Sequence, residues 1–566
     1  KDRRRLRSLC ATSTEASLAC WIPVTTTCKG MEATRKSYLG LDFSTQQLKG
    51  LAIDDKLQVL CEAAVQFDND LPEYRTQNGV NRNRDSLTVT APAIMWVKAL
   101  DMLLERLKVA GLDLSSVAAI SGSGQQHGSV YWKKGAADML RDLDASKFLH
   151  DQLQGAFSVR DSPVWMDSST ESQCRNLEAA VGGAQNLADI TGSRGFERFT
   201  GNQIAKIWQT KRDAYANTER ISLVSSFGAT LFLGRYAPID FSDASGMNLL
   251  NIRTHRWERA CLDACAPDLE AKLGEPVASH EVIGAVSPYF VDRYGFSADC
   301  SVVAFTGDNP ASLAGLRLRG GDLLVSLGTS DTVLMWLDEA KPALEGHVMV
   351  NPVSSDAFMG MLCYKNGSLT RQRVRDQCAG GSWDIFASLI DSTPRGNFGN
   401  IGMYFDLKEI LPPVIGDFKF NKSNERVAKF SQEVEARAVV EGQFLAKRVH
   451  AERLGFTTGG RVLATGGASK NPGIVQVLAD VFGASVYTLG KASANAACLG
   501  AAYLALFGVC KKAEAQLSFD NVVSEPESFC LVAKPSADAA SVYGPMAERY
   551  RTLEQRVVLQ QVQSTS

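Results

Sequence analysis

The sequence predicts an α/β protein whose two halves share one architecture. Apolar runs typical of buried strands alternate with stretches of helical spacing, and several of these strands run into polar or glycine-rich turns. One unit, a strand followed by a polar turn and a returning strand, occurs once in each half, at residues 38–53 and 321–336. A unit repeated in separate halves of a chain is typical of an internal duplication.

The elements of the first half follow in chain order. Residues 38–43 and 48–53 are predicted to be strands on either side of the polar turn 44–47. Helical spacing of apolar residues predicts a helix over 92–111 that ends at a glycine C-cap. Residues 117–122 then read as a buried strand that enters a glycine-rich turn.

The second half repeats this opening. Residues 321–327 and 332–336 are predicted to be a strand and its returning partner, and 461–465 a further strand that enters a glycine-rich turn. Asn471 and Pro472 are typical of a helix start. A peripheral helix is predicted near residues 546–562.

Length and composition narrow the classes of protein. The 566 residues exceed one ordinary core, which predicts two large domains or one long α/β domain with additional segments. A hydrophobic content of 45% and a charged content of 22% are typical of a globular enzyme, and a net charge of −2 argues against a nucleic-acid partner. The uncharged run between Lys491 and Lys511 contains Ser493 and Asn495, which favours a buried core helix over a membrane span.

The cysteines and the first thirty residues indicate the cellular compartment of the protein. The thirteen cysteines are scattered without a CxxC pair, which predicts reduced thiols in a cytosolic or stromal compartment. Residues 1–30 are rich in Arg, Ser and Thr and poor in acids, which is typical of a transit peptide. The alternative is upstream sequence before a start at Met31. We expect a disordered extension over 1–36 and a cytoplasmic protein, or a plastid or mitochondrial one if the extension is a transit peptide.

Three turns that follow strands have the composition of phosphate-binding loops. They lie at residues 42–46, 328–331 and 466–469, and each offers hydroxyls or glycine backbone N–H groups to an anion. Ordinary β-turns use the same residues, so one such turn alone would decide little. The sequence contains no GxxxxGK[ST] motif, which excludes a P-loop, and no GxGxxG follows the first strand.

Three further segments carry candidate chemistry. His127 lies between glycines in the segment 122–128, where we expect it to be too exposed for a routine core residue. Asp243 lies among small residues, so either it caps a turn or it accepts a proton from a hydroxyl. Asp308 and Asn309 follow a predicted strand at the edge where α/β proteins bind ligands, and Asp308 could also cap the next helix.

Together these segments resemble the FGGY family of carbohydrate kinases over essentially all of residues 37–560. The resemblance implies two duplicated ribonuclease H-like (actin-like ATPase) domains with the active site in the cleft between them. Residues 37–295 would form the domain with the sugar site and the catalytic base, and 296–566 the nucleotide-binding domain with a peripheral C-terminal helix. It implies ATP-dependent phosphorylation of a small ketose, and the similarity is greatest to members that act on D-xylulose. The alternatives are another acceptor, such as ribulose, glycerol or gluconate, or a non-catalytic sugar or nucleotide sensor.

The resemblance also assigns roles to single residues. It makes Asp243 the general base and Asp42 the residue that helps to hold hydrated Mg²⁺. It places the ketose on Gln126, His127, Arg198, Asp308 and Asn309. It places ATP on Thr45, Thr329, Trp383, Gly466, Gly467, Ala468 and Asn471.

Some properties stay open at this stage. Lys206, in the tight segment 206–208, departs from the family's spacing of lysine and tryptophan, so its role is not assigned. The expected partners are the ketose and ATP, and the choice between monomer and homodimer is open.

Overall fold

A computed structural model describes residues 36–457, 459–489, 495–524 and 529–565. The two interpretations of the first thirty residues, including a start at Met31, therefore concern residues outside the described part of the chain. In that described part, helices and strands alternate along most of the sequence.

The described strands are numbered in chain order. They are β1 (Ser37–Phe43), β2 (Gln47–Asp54), β3 (Val59–Gln66), β4 (Asn81–Arg82), β5 (Val89–Pro92), β6 (Val117–Gly124), β7 (Ser129–Lys133), β8 (Phe157–Val159), β9 (Asp161–Pro163), β10 (Thr218–Leu223), β11 (Leu250–Asn251), β12 (Arg256–Trp257), β13 (Val282–Ala285), β14 (Ser301–Val303), β15 (Thr306–Gly307), β16 (Leu323–Leu327), β17 (Asp331–Leu337), β18 (His347–Val350), β19 (Phe358–Tyr364), β20 (Ile401–Phe405), β21 (Gly416–Phe420), β22 (Val462–Thr465), β23 (Val486–Leu489) and β24 (Phe529–Ala533).

The described α-helices are numbered in the same way. They are α1 (Phe67–Asp70), α2 (Ala93–Val109), α3 (Ala136–Arg141), α4 (Leu149–Gln152), α5 (Glu171–Ala180), α6 (Ala184–Thr191), α7 (Thr200–Thr210), α8 (Arg212–Ala216), α9 (Val224–Leu233), α10 (Phe241–Ala244), α11 (Arg259–Cys265), α12 (Leu269–Leu273), α13 (Pro288–Tyr294), α14 (Asp308–Gly315), α15 (Ser368–Ala379), α16 (Trp383–Asp391), α17 (Gln432–Arg453), α18 (Pro472–Phe482), α19 (Ala496–Ala513), α20 (Phe519–Val522) and α21 (Ala539–Thr565). Short 3₁₀ helices include Ser245–Met247 and Gly467–Lys470.

Two seven-stranded sheets share one topology. In the first sheet, β1 runs parallel to β6, β6 runs parallel to β14, and β13 is antiparallel at that edge, while β2 and β3 continue antiparallel on the other side of β1. In the second sheet, β16 runs parallel to β22 and β22 to β23, with β24 antiparallel at the edge. Strands β17 and β19 continue antiparallel on the other side of β16, with β18 added at that end. The predicted duplicated α/β fold is confirmed by this matched order of strands.

Helix α19 packs against the first sheet and against α14. It lies in an apolar core that combines Tyr38 and Leu51 of the first sheet with Leu324 and Leu334 of the second. By length and composition α19 could cross a membrane, and most of it is buried within the protein. Its position agrees with the prediction of a core helix in this uncharged run.

Two element boundaries differ from the sequence-based expectation. The strand predicted before Asp308 is divided into β14 and β15, and Phe305, which lies between them, is buried in an apolar cluster with Phe43 and Phe227. The C-terminal helix, predicted near residues 546–562, begins earlier, at Ala539, and continues through Pro545. The predicted domain boundary between residues 295 and 296 stays a prediction; β14 and β15, which follow it, belong to the first sheet.

Candidate active site

The carboxyl ends of three neighbouring parallel strands bring the first candidate residues together. Strand β6 lies between β1 and β15, and all three run in the same direction. Asp42 lies at the end of β1, Gln126 follows β6, and Asp308 follows β15. Parallel strands present their carboxyl ends at one edge of a sheet, which is where α/β proteins bind ligands.

Asp243 lies at this edge on the short helix α10. Asp240 caps α10 by accepting hydrogen bonds from the backbone N–H groups of Ser242 and Asp243. The Asp243 carboxylate is 1% exposed and accepts a hydrogen bond from Ser225 Oγ at 2.6 Å. A Cβ atom on Gly307 would lie 2.7 Å from Asp243 Oδ1, so only glycine leaves room beside the carboxylate.

The surroundings of Asp243 favour its protonated form. Burial raises the pKa of Asp243 well above its usual value, and the charges of Asp240 and Asp308 raise it further, while the Ser225 hydrogen bond opposes them. Asp240 is itself buried, and burial raises its pKa to about 6. A carboxyl group with a raised pKa is a stronger proton acceptor once it is ionised, which suits a general base.

A chain of hydrogen bonds links the predicted ketose contacts. Asn309 Nδ2 donates to Gln126 Oε1 at 3.0 Å, and Gln126 Nε2 lies 3.5 Å from Asp243 Oδ1. Asp308 accepts from the backbone N–H of Asn309 at 2.9 Å. Asp308 is the first residue of α14 and Gly307 is the N-cap, so the capping role considered for Asp308 is wrong.

His127 is buried, which corrects the expectation that it is exposed. It is 5% exposed and its ring stacks on Phe199 at 4.4 Å between centroids. Its Nδ1 lies 2.8 Å from the carbonyl oxygen of Gly246, and a carbonyl can only accept, so Nδ1 carries the hydrogen. Burial and the charge of Arg198 lower the pKa of His127 to about 3. The neutral ring therefore leaves Nε2 as an acceptor for a hydroxyl.

Arg198 reaches a residue that the sequence did not reveal. Its Nη2 lies 2.6 Å from Nε2 of His347, which belongs to β18 of the second sheet. The guanidinium also lies over the rings of Phe196, at 5.0 Å, and Phe199, at 5.7 Å. No local motif surrounds His347 in the sequence, because its partner lies 149 positions away.

Asp42 is a buried carboxylate with two hydroxyl partners. It accepts hydrogen bonds from Ser44 and, at 2.8 Å, from Ser123 Oγ. Burial raises the pKa of Asp42, and burial together with the Asp42 charge raises that of Asp308 to about 7. The described residues include no cluster of three or more His, Cys, Asp or Glu side chains that could hold a metal alone.

The candidate nucleotide loops meet at the carboxyl ends of β16 and β22, which are parallel neighbours. The first contains the exposed Thr329. In the second, Gly466 has a φ of +86°, and a Cβ there would overlap the carbonyl oxygen of Leu327. Glycine therefore lets the two loops approach as backbone against backbone. Gly467 and Ala468 follow in a 3₁₀ turn whose backbone is close to the surface.

The remaining nucleotide candidates lie at the starts of two packed helices. Asn471 caps α18 by accepting from the N–H of Ile474 at 3.1 Å. Trp383 is the first residue of α16, partly exposed, with the Arg375 guanidinium 4.6 Å above its ring. A Cβ on Gly473 would lie 3.9 Å from Ala387, so the first turn of α18 lies against α16.

Thr45 and Lys206 make contacts away from these loops. Thr45 Oγ1 accepts from Trp165 Nε1 at 2.9 Å. Lys206 Nζ donates to Ser169 Oγ at 2.5 Å and to Thr88 Oγ1 at 3.1 Å. In the described residues, the contacts of Lys206 are thus with hydroxyls of the first half, and they support the loop that carries Trp165.

A buried charge cluster beneath the Thr329 loop also escaped sequence reasoning. Asp331 accepts two hydrogen bonds from Arg371, at 2.8 and 3.1 Å, and lies 2.9 Å from Lys447. These two cations lower the pKa of Asp331 despite its burial. The cluster anchors the start of β17, immediately after the loop, to α15 and α17. Its members come from three separate elements of the chain, so no sequence motif joins them.

Two matched α/β sheets with glycine- and hydroxyl-rich turns at their strand ends are typical of the actin-like ATPase fold. Residues 154–315 match the N-terminal domain of the FGGY family of carbohydrate kinases, and 323–509 match its C-terminal domain. The chain belongs to the FGGY family and is a carbohydrate kinase.

Two relatives are similar to this chain over nearly its whole length. The chain is 56% identical over 528 residues to xylulose kinase of Rattus norvegicus, which covers 93% of this chain and 98% of that protein. It is 46% identical over 543 residues to xylulose kinase 2 of Arabidopsis thaliana, covering 92% and 97% of the two chains.

Solved structures support the fold. The xylulose kinase of Rhodospirillum rubrum has a TM-score of 0.75 at 17% identity, covering 92% of this chain and 99% of that one. The glycerol kinase of Plasmodium falciparum with ADP has a TM-score of 0.71 at 14% identity, covering 92% and 98%. At such identities the likeness concerns the fold alone.

Proposed function

We propose that this carbohydrate kinase transfers the γ-phosphate of ATP to D-xylulose and forms D-xylulose 5-phosphate. The observation that carries the mechanism is the buried Asp243 carboxylate, whose raised pKa suits a general base and which lies close to Gly307 and Gln126. The choice of D-xylulose rests on the named activity of relatives that are 46–56% identical over nearly the whole chain.

In the proposed reaction, Asp243 accepts the proton of the terminal hydroxyl of the ketose. The hydroxyl oxygen forms a bond to the γ-phosphorus while the bond to the β-phosphate oxygen breaks, and ADP leaves. The side chains that would hold the sugar hydroxyls are Gln126, His127, Arg198, Asp308 and Asn309. His127 would do so as an acceptor through Nε2, because its Nδ1–H is engaged by Gly246.

The nucleotide would lie on the two loops at the ends of β16 and β22. Thr329 and the backbone of Gly466 and Gly467 would contact the phosphates and ribose, because turns of this kind present N–H groups to anions. Trp383, Ala468 and Asn471 would flank the base, and Thr45 would face the phosphates from the first half. When bound, Mg²⁺ supplies charge neutralisation of the phosphates, and Asp42 with its two hydroxyl partners would hold it through water.

The test is ADP release by the purified protein with Mg·ATP and each of D-xylulose, D-ribulose, glycerol and gluconate. We expect turnover with D-xylulose and a loss in Asp243→Asn of about 10²–10⁴-fold in kcat, the usual contribution of a general base. Asp101→Asn is the matched control, because Asp101 is also a buried carboxylate but is bonded to His150 and Tyr294 outside the site. Turnover with another acceptor instead would show that D-xylulose is not the substrate. ATP binding without any acceptor-dependent turnover would favour a non-catalytic sensor.

We also propose a reducing compartment, the cytoplasm. The cysteines in the described residues are free thiols, and most of them are buried. The test is to fuse residues 1–36 to a fluorescent reporter and to observe where the reporter goes. Import into a plastid or mitochondrion would overturn the cytoplasmic proposal. Light scattering of the purified protein would decide between monomer and homodimer.

A further inference from the structure

Strand β18 reaches from the second sheet to the proposed ketose pocket. It is the edge strand of that sheet, and each of its four residues contacts a segment of the first half. The contacts are His347 Nε2 with Arg198 Nη2 at 2.6 Å, Val348 N–H with the Gly192 carbonyl at 2.9 Å, Met349 Sδ with Gln126 Nε2 at 3.5 Å, and Val350 N–H with Ser245 Oγ at 3.1 Å.

The hydrogen bonds of His347 define its tautomer. A guanidinium carries only donors, so His347 Nε2 accepts from Arg198 and the ring hydrogen lies on Nδ1. Nδ1 in turn donates to Ser193 Oγ at 3.0 Å. The ring is 3% exposed and lies 4.6 Å from the ring of Phe196 and 5.3 Å from that of Phe199, measured between centroids.

The neutrality of His347 matters for Arg198. Burial and the Arg198 charge hold the pKa of His347 well below its usual value, so the ring is uncharged at neutral pH. The described residues give Arg198 no carboxylate at ion-pair distance, and its close polar partner is this imidazole. An uncharged acceptor fixes the direction of the guanidinium while leaving its positive charge for the oxygens of a ligand. A carboxylate in the same place would cancel that charge.

We infer that His347 is a positioning residue that orients Arg198 toward the acceptor sugar, with Ser193 fixing the tautomer. The inference rests on the proposed function, in which Arg198 contacts the ketose. It makes the sugar pocket depend on a strand of the sheet that carries the nucleotide loops. The nucleotide loops lie at the ends of β16 and β22, and the contact joins β18 to Arg198. We therefore expect loss of the contact to weaken sugar binding and to leave the nucleotide loops intact.

The first test separates the two Michaelis constants. In His347→Phe the ring volume stays between the two phenylalanines and the acceptor is lost. We expect KM for the ketose to rise about tenfold to a hundredfold, as for a lost hydrogen bond to a charged group, while KM for ATP stays unchanged. His347→Gln should recover most of the loss, because its amide oxygen reaches the former position of Nε2. An unchanged ketose KM in His347→Phe would overturn the inference.

The control is another buried histidine. His450 on α17 lies between Tyr364 and Glu554, at 3.0 and 2.8 Å, outside the sugar pocket. His450→Gln should lower the thermal unfolding midpoint without a selective change in the ketose KM. An equal rise in that KM would mean that any buried histidine in this half has the effect, and the positioning role would be wrong.

A double-mutant cycle tests the contact itself. If His347 acts through Arg198, the loss in kcat/KM of Arg198→Met combined with His347→Phe is smaller than the product of the two single losses. The same cycle on the thermal unfolding midpoint needs no turnover and should also be non-additive. If the wild type phosphorylates another acceptor, D-xylulose is not the substrate. We then expect His347→Phe to raise KM for that acceptor and to leave KM for ATP unchanged. Additive effects in both cycles would overturn the contact whatever the acceptor is.

Discussion

At the scale of single residues, the site depends on how neighbours set the pKa of Asp243. Burial and the Asp240 charge raise this pKa, and the hydrogen bond from Ser225 Oγ lowers it. Asp243 must be ionised to accept a proton, so kcat/KM should rise with pH through its pKa and then level off. The three causes act on one group in two directions, which makes them separable by substitution.

We expect Asp240→Asn and Ser225→Ala to move the acid limb of the pH profile in opposite directions. In Asp240→Asn the amide oxygen of the new side chain can still cap α10, but the lost charge lowers the pKa of Asp243 and moves the limb to lower pH. Ser225→Ala removes the donor that favours the ionised form, so the limb moves to higher pH. The measurement is kcat/KM for the ketose against pH at saturating Mg·ATP, and shifts in the same direction would contradict this account of the pKa.

At the scale of elements, the nucleotide loops depend on the close approach of β16 and β22. Gly466 combines a left-handed backbone with a position where any Cβ overlaps the Leu327 carbonyl. Gly307 has the corresponding role in the first half, where a Cβ would lie 2.6 Å from Gln126 and 2.7 Å from Asp243. In each half, then, a glycine near a strand end allows neighbouring groups of the site to approach closely.

We expect Gly466→Ala to raise KM for ATP by about tenfold or more with a smaller change in the ketose KM. The backbone of Gly466, at φ +86° and ψ 178°, is essentially restricted to glycine and costs another residue about 1–3 kcal/mol, and the overlap with Leu327 adds to this by displacing the loop. Gly459→Ala is the matched control, because a Cβ there meets nothing within 4 Å. Steady-state kinetics with each substrate varied in turn provides the measurement. Equal effects of the two alanines on KM for ATP would exclude a local role for Gly466.

At the scale of the whole molecule, the two sheets are joined by helix α19. Three glycines let backbones meet there: Cβ atoms at Gly40, Gly315 and Gly500 would overlap the carbonyl oxygens of Cys498, Ala496 and Ala311. Gly40 and Gly315 belong to β1 and α14, and Gly500 to α19. A helix from the C-terminal half thus covers the sheet that carries Asp42, so the stability of the first half depends on the second.

We expect Gly500→Ala to lower the free energy of unfolding by about 1–3 kcal/mol, the usual cost of overpacking a tight contact. Gly459→Ala, where a Cβ meets nothing within 4 Å, should instead change the free energy of unfolding by no more than about 0.5 kcal/mol. Denaturant unfolding of both variants measures the difference. Two variants of equal stability would contradict the close packing of α19 against α14.

The sequence by itself determined the architecture of this protein and the residues at its strand ends. Periodicity and turn composition placed β1, β6, β16 and β22, because a strand's burial pattern and its terminal turn are local properties of the chain. The repeated hairpin indicated the duplication that the two sheets show. The resemblance of the motifs indicated the FGGY family, to which the chain belongs.

Only the tertiary structure decided which groups face one another and with what charge. His347 lies 149 positions from Arg198, and Asp331 is joined by Arg371 and Lys447 from two later helices. His127 looked exposed because glycines flank it, yet Phe199 covers its ring. The pKa of a buried group depends on desolvation and on charges that folding brings within a few ångströms, and neither quantity is a property of the local sequence.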